Sequence, residues 1–287
     1  MREEKRIEIT DDYMFSYVMR QPGICKAVIE ELLPGIHVAD VVFRDVPETQ
    51  KTIQGALGTH SVRLDVYLDD GVTVYNVEMQ TGNKENLPKR ARFYGSRIDC
   101  DQLEASADYN ELRPTYVIFI CTFDPFKLGQ YVYSFRNRCE EMPELELGDE
   151  SYKVFFNTNG TKGEISGGLK QLLGYFRDPE NSGHDTELIK HIDGIVDTAN
   201  QDADWRRGYM TYAQAQMDAR RQGWKEGIAE GKAAGIAEGK AAGKAEGILE
   251  NAKNVAAMMR AEGLPLSTIA RCVGYSEKEV TEWLKLS

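Results

Sequence analysis

The chain has 287 residues, 41% of them hydrophobic, and a formal net charge of −11 at pH 7. This apolar content is enough for a large core, but the mean hydropathy is −0.47 and no apolar run approaches the ~18 residues of a membrane span. The composition argues against a membrane protein, and the acidic balance argues against one that coats nucleic acid through bulk charge.

Two further features of the sequence indicate a cytoplasmic protein. The first six residues, Met-Arg-Glu-Glu-Lys-Arg, lack the apolar core of a signal peptide. The five cysteines are scattered and show no Cys-x-x-Cys spacing: Cys25, Cys100, Cys121, Cys139 and Cys272. This pattern argues against a zinc site or a disulfide framework and suits a reducing compartment.

Charge is unevenly distributed along the chain. Residues 205–287 carry thirteen basic and ten acidic side chains, a net charge of +3, so residues 1–204 carry −14. Any contact with nucleic acid must therefore depend on a local basic patch together with a metal ion.

The first part of the chain begins with two predicted helices. Residues 11–20 carry an apolar stripe at helical spacing, and Thr10 is a suitable N-cap. Residues 24–33 predict a second helix, which the Pro-Gly step that follows would end. Residues 38–43 predict a strand.

The next two segments predict a β-hairpin. Residues 63–68 and 74–80 alternate apolar and polar side chains, the pattern of half-buried strands. The Asp-Gly step between them predicts a turn. If Leu68 pairs with Tyr75 across this turn, a carboxylate on each strand faces the other.

These facing carboxylates are Asp65 and Glu78, and Gln80 shares the face of Glu78. Like charges directly opposite each other in an antiparallel pair are destabilising. A bound divalent cation is a common reason to keep them, because Mg²⁺ is typically held by one or two carboxylates. The hairpin therefore predicts a metal site.

The hairpin is followed by a predicted crossover helix and a central strand. Residues 86–108 predict the helix, with Asn86 as N-cap and Pro88 in its first turn. Residues 116–123 form a near-continuous apolar run, typical of a strand covered on both faces. We expect this strand to pair in parallel with residues 74–80. Strands at 131–135 and 152–157 and a helix at 164–176 complete the pattern.

The crossover helix is basic, with Lys89, Arg90, Arg92, Tyr94 and Arg97. Arg90, Tyr94 and Arg97 are spaced to share one helical face. A metal between carboxylates, next to a polar Gln80 and a basic helix, suits phosphodiester hydrolysis, because the metal polarises the phosphate and lowers the pKa of an attacking water.

Residues 203–250 form a repetitive segment with no strand pattern. Glycine recurs every four residues at Gly223, Gly227, Gly231, Gly235, Gly239, Gly243 and Gly247. Each glycine costs a helix ~1 kcal/mol relative to alanine, so seven in register favour a role in packing against a second helix. We expect a self-association helix; the alternative is a solvated linker helix.

Residues 251–287 predict a small helical unit. A helix at 251–261 is followed by one capped by Ser267, and the last helix begins with a capping box of Ser276 and Glu279. Such a unit suits either DNA binding or a packing cap. The last helix has more acidic than basic residues, which favours the packing cap.

Five segments together resemble a known family. They are residues 10–15 (Thr-Asp-Asp-Tyr-Met-Phe), 63–67 (Arg-Leu-Asp-Val-Tyr), 75–80 (Tyr-Asn-Val-Glu-Met-Gln), 87–94 (Leu-Pro-Lys-Arg-Ala-Arg-Phe-Tyr) and 116–126 (Tyr-Val-Ile-Phe-Ile-Cys-Thr-Phe-Asp-Pro-Phe). With the element order α-β-β-β-α-β, residues 5–215 resemble the PD-(D/E)XK nuclease superfamily. They resemble more closely its branch of recombination-promoting nucleases and transposases, in which the glycine-rich tail is also common.

The resemblance implies an α/β fold with a restriction-endonuclease-like core, a mixed sheet flanked by helices. The sequence patterns divide the chain into three regions: residues 1–202, which the resemblance makes a nuclease-like domain, a glycine-repeat helical segment at 203–250, and a helix-turn-helix-like unit at 251–287.

The resemblance also implies the site. Asp65 and Glu78 would bind Mg²⁺, with Mn²⁺ as the alternative, and Gln80 stands where the wider superfamily has lysine. Asp12 matches the acidic residue of the first helix, with Asp11 as its rival. The catalytic set would be Asp65, Glu78, Gln80 and Asp12, and the DNA phosphate would be held by Arg90, Tyr94 and Arg97.

The expected function is that of a cytoplasmic, Mg²⁺-dependent DNA endonuclease linked to recombination or a mobile element, with chains associated as dimers through residues 203–287. The alternative is a catalytically inactive DNA-binding or assembly protein derived from a transposase. A general-base histidine is less expected, because His37, His60, His184 and His191 show no characteristic spacing.

Overall fold

The structure is a computed structural model, and it describes residues 5–39, 48–53, 62–82, 85–104, 106–183 and 185–285. Among these residues six strands form one sheet in the order β1-β2-β3-β4-β6-β5. The strands are Glu48–Ile53 (β1), Val62–Asp69 (β2), Val74–Gln80 (β3), Thr115–Cys121 (β4), Val132–Phe135 (β5) and Ser151–Asn157 (β6).

The helices of the described residues lie on both sides of this sheet or follow it. They are Asp12–Met19 (α1), Ile24–Leu32 (α2), Leu87–Gln102 (α3), Gly167–Arg177 (α4), Glu187–Gln201 (α5), Ala203–Ala261 (α6), Leu266–Val273 (α7) and Glu277–Lys285 (α8). No helix in the described part of the chain is long and apolar enough to cross a membrane.

The sheet is mixed, as expected. β1, β2 and β3 are antiparallel neighbours, β3, β4 and β6 run parallel, and β5 is antiparallel to β6. In the hairpin Leu68 pairs with Tyr75, which confirms the predicted register. α3 joins β3 to its parallel neighbour β4, as predicted. The α/β fold and the restriction-endonuclease-like core are confirmed.

Two layers of helices bury the two faces of the sheet. α1, α2, α4 and α5 pack on one face, where Val77 and Ile118 belong to their apolar cluster. α3 packs on the other face, where Phe119 and Phe155 stack with ring centroids 5.3 Å apart. β3 and β4 are buried on both sides, which explains the near-continuous apolar run in β4.

Several predicted boundaries in the first half of the chain were wrong. The N-cap of α1 is Asp11, not Thr10, because the Asp11 carboxylate accepts hydrogen bonds from the backbone amides of Tyr13 and Met14. α3 ends at Gln102 rather than at residue 108. The predicted strand at 38–43 is not formed at its first two residues, and its other residues lie outside the described ones.

The α-helix α5 and the strand β1 were not predicted. α5 has a clear apolar stripe, formed by Ile189, Ile192, Val196 and Ala199, and Thr186 caps its first turn. β1 is a polar strand of sequence Glu-Thr-Gln-Lys-Thr-Ile at the edge of the sheet. Its pairing with β2 places it there, since its sequence shows no alternation.

The last elements also differ in part from expectation. α6 continues through residue 250 to Ala261, so the predicted helix at 251–261 is its final part. The N-cap of α7 is Pro265 rather than Ser267. The capping box at the start of α8 is confirmed: Ser276 and Glu279 exchange hydrogen bonds between side chain and backbone.

The chain divides into two compact units, Met1–Tyr212 and Ala213–Ser287. The first contains the sheet and ends with the first turns of α6. In the second, the end of α6 packs with α7 and α8 around a small apolar cluster of Ala256, Ile269, Ala270 and Val280. The glycine-rich part of α6 is exposed from residue 223 to residue 247.

Candidate active site

Two carboxylates lie side by side where the backbone pairing of β2 and β3 ends. That pairing runs from Asp69 and Val74 to Val66 and Val77. At the next two residues, Asp65 and Glu78, side-chain carboxylates instead of backbone carbonyls accept the hydrogen bonds from the backbone amides of the opposite strand. The Asp65 amide donates to Glu78 Oε1 at 3.1 Å, and the Met79 amide donates to Asp65 Oδ2 at 3.2 Å.

The Glu78 carboxylate is almost fully buried, with 3% of its side chain exposed. Burial and then the negative charge of Asp65 raise the pKa of Glu78 well above its usual range. The hydrogen bond from the Asp65 amide and the charge of Arg90 act in the opposite direction. Burial therefore disfavours the ionised form of Glu78, and a nearby positive charge favours it.

Arg90 brings a positive charge to this pair from α3. Its Nη1 donates to Gln80 Oε1 at 2.6 Å, and its Nη2 donates to the Tyr94 hydroxyl at 2.9 Å. The same Nη2 lies 3.7 Å from Glu78 Oε2. The guanidinium carbon lies 5.6 Å from the centroid of the Phe119 ring, within cation–π range.

Three of the residues expected near the phosphate lie on α3, and the structure places two of them at the pair. Arg90 and Tyr94 are one turn apart, so they reach the pair from the same helical face. Burial and then the charge of Glu78 raise the pKa of Tyr94, which keeps the phenol neutral. Arg97 follows three residues later and is half-buried.

The acidic residues at the start of α1 have partners of their own. Tyr212 donates its hydroxyl to Asp12 Oδ2 at 2.6 Å, and Tyr209 donates to Asp11 Oδ2 at 3.1 Å. Within the described ranges, no group of three or more His, Cys, Asp or Glu side chains could hold a metal ion. Neither acid therefore joins the hairpin pair in a larger ligand cluster in this conformation.

α1 nevertheless approaches the site, since Ser16 Oγ donates to the backbone carbonyl of Asp65 at 3.5 Å. The aromatic residues of α6 that pack against α1 were not expected. Tyr13 packs against Trp205, Tyr209 and Tyr212 of α6 with ring centroids 5.0–5.8 Å apart. The spacing of these three α6 residues, which places them on one helical face, is the sequence signal that could have found them.

Neither of the two described histidines, His37 and His191, has a recorded contact with the carboxylate pair or Arg90. His37 Nδ1 lies 3.0 Å from Glu30 at the end of α2, and His191 is exposed on α5. His60 and His184 lie outside the described residues.

A mixed sheet with facing carboxylates at the end of a hairpin, followed by a helix that returns an arginine to them, defines a PD-(D/E)XK-type core. Residues 12–139 match the family model described as PD-(D/E)XK nuclease family transposase. The match confirms the resemblance expected from the sequence. It spans α1 to the end of β5, with the carboxylate pair and Arg90, and the glycine repeat lies outside it. Searches of curated proteins and of solved structures gave no match.

Proposed function

We propose that the chain is a metal-dependent DNA endonuclease that hydrolyses phosphodiester bonds, with Asp65 and Glu78 as metal ligands. The observation that carries this proposal is the buried carboxylate pair, in which each side chain is held by a backbone amide of the opposite strand. The family match supports a nuclease. The transposase in the family's description supports a role in recombination or in a mobile element.

The two carboxylates fit a hard divalent cation. Carboxylate oxygens are the donors that Mg²⁺ and Mn²⁺ prefer. The raised pKa of Glu78 reflects a buried negative charge next to Asp65, which a cation between them would offset. When bound, such an ion polarises a phosphate and lowers the pKa of its bound water.

Arg90 supplies the positive charge that the protein itself contributes to this site. Its guanidinium is held by Gln80 and Tyr94, and 23% of the Arg90 side chain is exposed, which would allow it to contact a phosphate oxygen. A fixed positive group next to the reacting phosphate stabilises the negative charge that develops there. The roles of Asp12 and Arg97 in this proposal are secondary: Asp12 is an acid one helical turn from Ser16, and Arg97 extends the basic face of α3.

The surface of α3 supports DNA as the substrate. Lys89 and Arg92 are exposed in its first two turns, and the helix contains no acidic residue before Asp99. Neither side chain forms an ion pair with another described residue. In a protein of net charge −11, this basic surface beside the carboxylate pair fits a phosphate backbone.

The glycine-rich part of α6 supports association of chains as dimers through residues 203–287. A Cβ added at any glycine from Gly223 to Gly247 in the four-residue series meets no atom within 4 Å. Among the described residues of its own unit, the glycine series therefore has no packing partner that requires glycine. Close approach of the same segment of a second chain supplies one, and the exposed Trp224, Ile236 and Ile248 would be covered by it. We propose the regions 1–202, 203–250 and 251–287 on this basis.

One observation favours a second candidate, a catalytically inactive DNA-binding or assembly protein. Among the described residues, no third acidic, histidine or cysteine side chain joins the carboxylate pair in a group that could hold a metal ion, and the Asp12 carboxylate accepts a hydrogen bond from Tyr212.

Nicking of supercoiled plasmid with Mg²⁺ or Mn²⁺ tests the two candidates. We expect nicking by the wild-type protein, loss of nicking in Asp65→Ala and Glu78→Ala, and normal nicking in Asp69→Asn, a carboxylate at the other end of β2. Equal nicking by all four proteins would remove the assigned site. DNA binding by the wild-type protein without nicking would favour the assembly protein.

A further inference from the structure

Gln80 uses both ends of its side-chain amide. Oε1 accepts the hydrogen bond from Arg90 Nη1 at 2.6 Å, and Nε2 donates to the Gly82 carbonyl at 3.0 Å. The residue is buried, with 7% of its surface exposed. An arginine can only donate and a carbonyl can only accept, so this amide orientation is the one that satisfies both neighbours.

The contact between Arg90 and Glu78 is longer than the pair would adopt alone. Arginine and a carboxylate prefer two parallel hydrogen bonds of about 2.7–2.9 Å. Here the closest N–O distance is 3.7 Å, because one terminal nitrogen of Arg90 is bonded to Gln80 and the other to Tyr94. The guanidinium is therefore held beside Glu78 without occupying its carboxylate.

We propose that Gln80 is a positioning residue that holds Arg90 away from Glu78 and so keeps this carboxylate available to a divalent cation. Without Gln80 the guanidinium closes on Glu78, and the ion pair that forms competes with the metal. A lysine at this position would repel Arg90, and an apolar residue would release it. This role rests on the proposed metal site.

The measurement is the affinity of the full-length protein for Mn²⁺ alone, by calorimetric titration without DNA. Gln80→Met preserves side-chain length and removes both hydrogen bonds. We expect it to weaken Mn²⁺ binding by about 10-fold, as for loss of an outer partner of a metal ligand. In an Arg90→Ala background the same change has no effect, because no guanidinium is left to close on Glu78.

Two other variants sharpen the test. Gln80→Glu still engages Arg90, so it retains at least wild-type affinity for Mn²⁺. Gln102→Met is the matched control, because the Gln102 amide also bridges two partners, the Arg113 amide and the Thr115 hydroxyl, at the far end of α3. We expect it to leave the Mn²⁺ affinity unchanged, and thermal unfolding verifies that each variant is folded.

The outcomes separate this role from the proposed function. An equal loss of affinity on Gln80→Met with and without Arg90, or no loss in either background, would overturn the positioning role alone. A loss of Mn²⁺ affinity in Gln80→Glu as large as the loss in Gln80→Met would also overturn the positioning role. Absence of Mn²⁺ binding in the wild-type protein, or unchanged binding in Asp65→Ala, would overturn the metal site and this role with it.

Discussion

Replacement of Glu78 by glutamine is expected to stabilise the metal-free protein while abolishing nicking. The wild-type side chain is buried and faces Asp65, and both circumstances penalise its ionised form. An amide oxygen at the same position still accepts the hydrogen bond from the Asp65 backbone. The substitution therefore removes a buried charge without leaving that donor unpaired.

The expected magnitude follows from two opposing terms. Burial of an ionised carboxylate is costly, and replacing a whole buried ion pair with neutral groups of similar volume has an effect from about zero to a stabilisation of about 4 kcal/mol. The variant loses the contact with Arg90, which at 3.7 Å and with Arg90 partly exposed is worth about 1 kcal/mol or less. We expect a net stabilisation of about 1–2 kcal/mol, which corresponds to about 2–8 °C in Tm at this size.

The pH dependence has a defined sign. Because the folded state raises the pKa of Glu78, the folded protein binds more protons than the unfolded chain. Wild-type stability should fall as pH rises from the ordinary value of 4.5 through the raised pKa, and then level off. The advantage of Glu78→Gln should be absent at low pH and grow over this interval.

Thermal unfolding in EDTA, from about pH 4 to about pH 8, measures this difference. The matched control is Asp69→Asn, because the Asp69 carboxylate contacts Arg113 and accepts from the Gly71 amide. This change should lower stability by about 1 kcal/mol or less. A Glu78→Gln protein less stable than wild type at neutral pH, or a difference that does not change with pH, would refute the reasoning.

Three further predictions concern the basic helix and the tail. Lys89→Ala combined with Arg92→Ala should weaken DNA binding in EDTA and reduce the salt slope by about 2, because two phosphate contacts are lost. A chain that ends after Tyr212 should be monomeric by light scattering. A chain that ends at residue 202 should unfold about 6–12 °C below the chain that ends after Tyr212, because it loses the aromatic packing against Tyr13, worth about 3 kcal/mol. Gly231→Ala with Gly239→Ala should raise helicity, because each alanine favours the helix by about 1 kcal/mol, yet weaken dimers by obstructing close approach.

These predictions have their own controls and contrary outcomes. Lys170→Ala on α4 removes an exposed charge away from the site and should leave the salt slope unchanged. A slope unaltered by the double α3 variant would show that DNA does not contact this face. Oligomers that persist after truncation at Tyr212, or dimers unaffected by the alanines, would refute the glycine-mediated interface.

The carboxylate pair could be predicted because its causes are local. The alternation of residues 63–68 and 74–80 and the Asp-Gly turn determine the hairpin register, and its continuation one residue beyond Val66 and Val77 brings Asp65 next to Glu78. The apolar run of β4 and the capped helix before it likewise predict a crossover unit. The apolar stripe of α5 is equally local, so the sequence also contains the information that specifies this helix.

Contacts between distant segments were decided by the tertiary structure. The bond of Arg90 to Gln80 depends on how α3 crosses β3, and the engagement of Asp12 by Tyr212 joins residues 200 positions apart. β1 is polar and without alternation, so only its pairing with β2 makes it a strand. Periodicity along the chain specifies which face each side chain occupies, but which faces meet depends on packing that no single segment encodes.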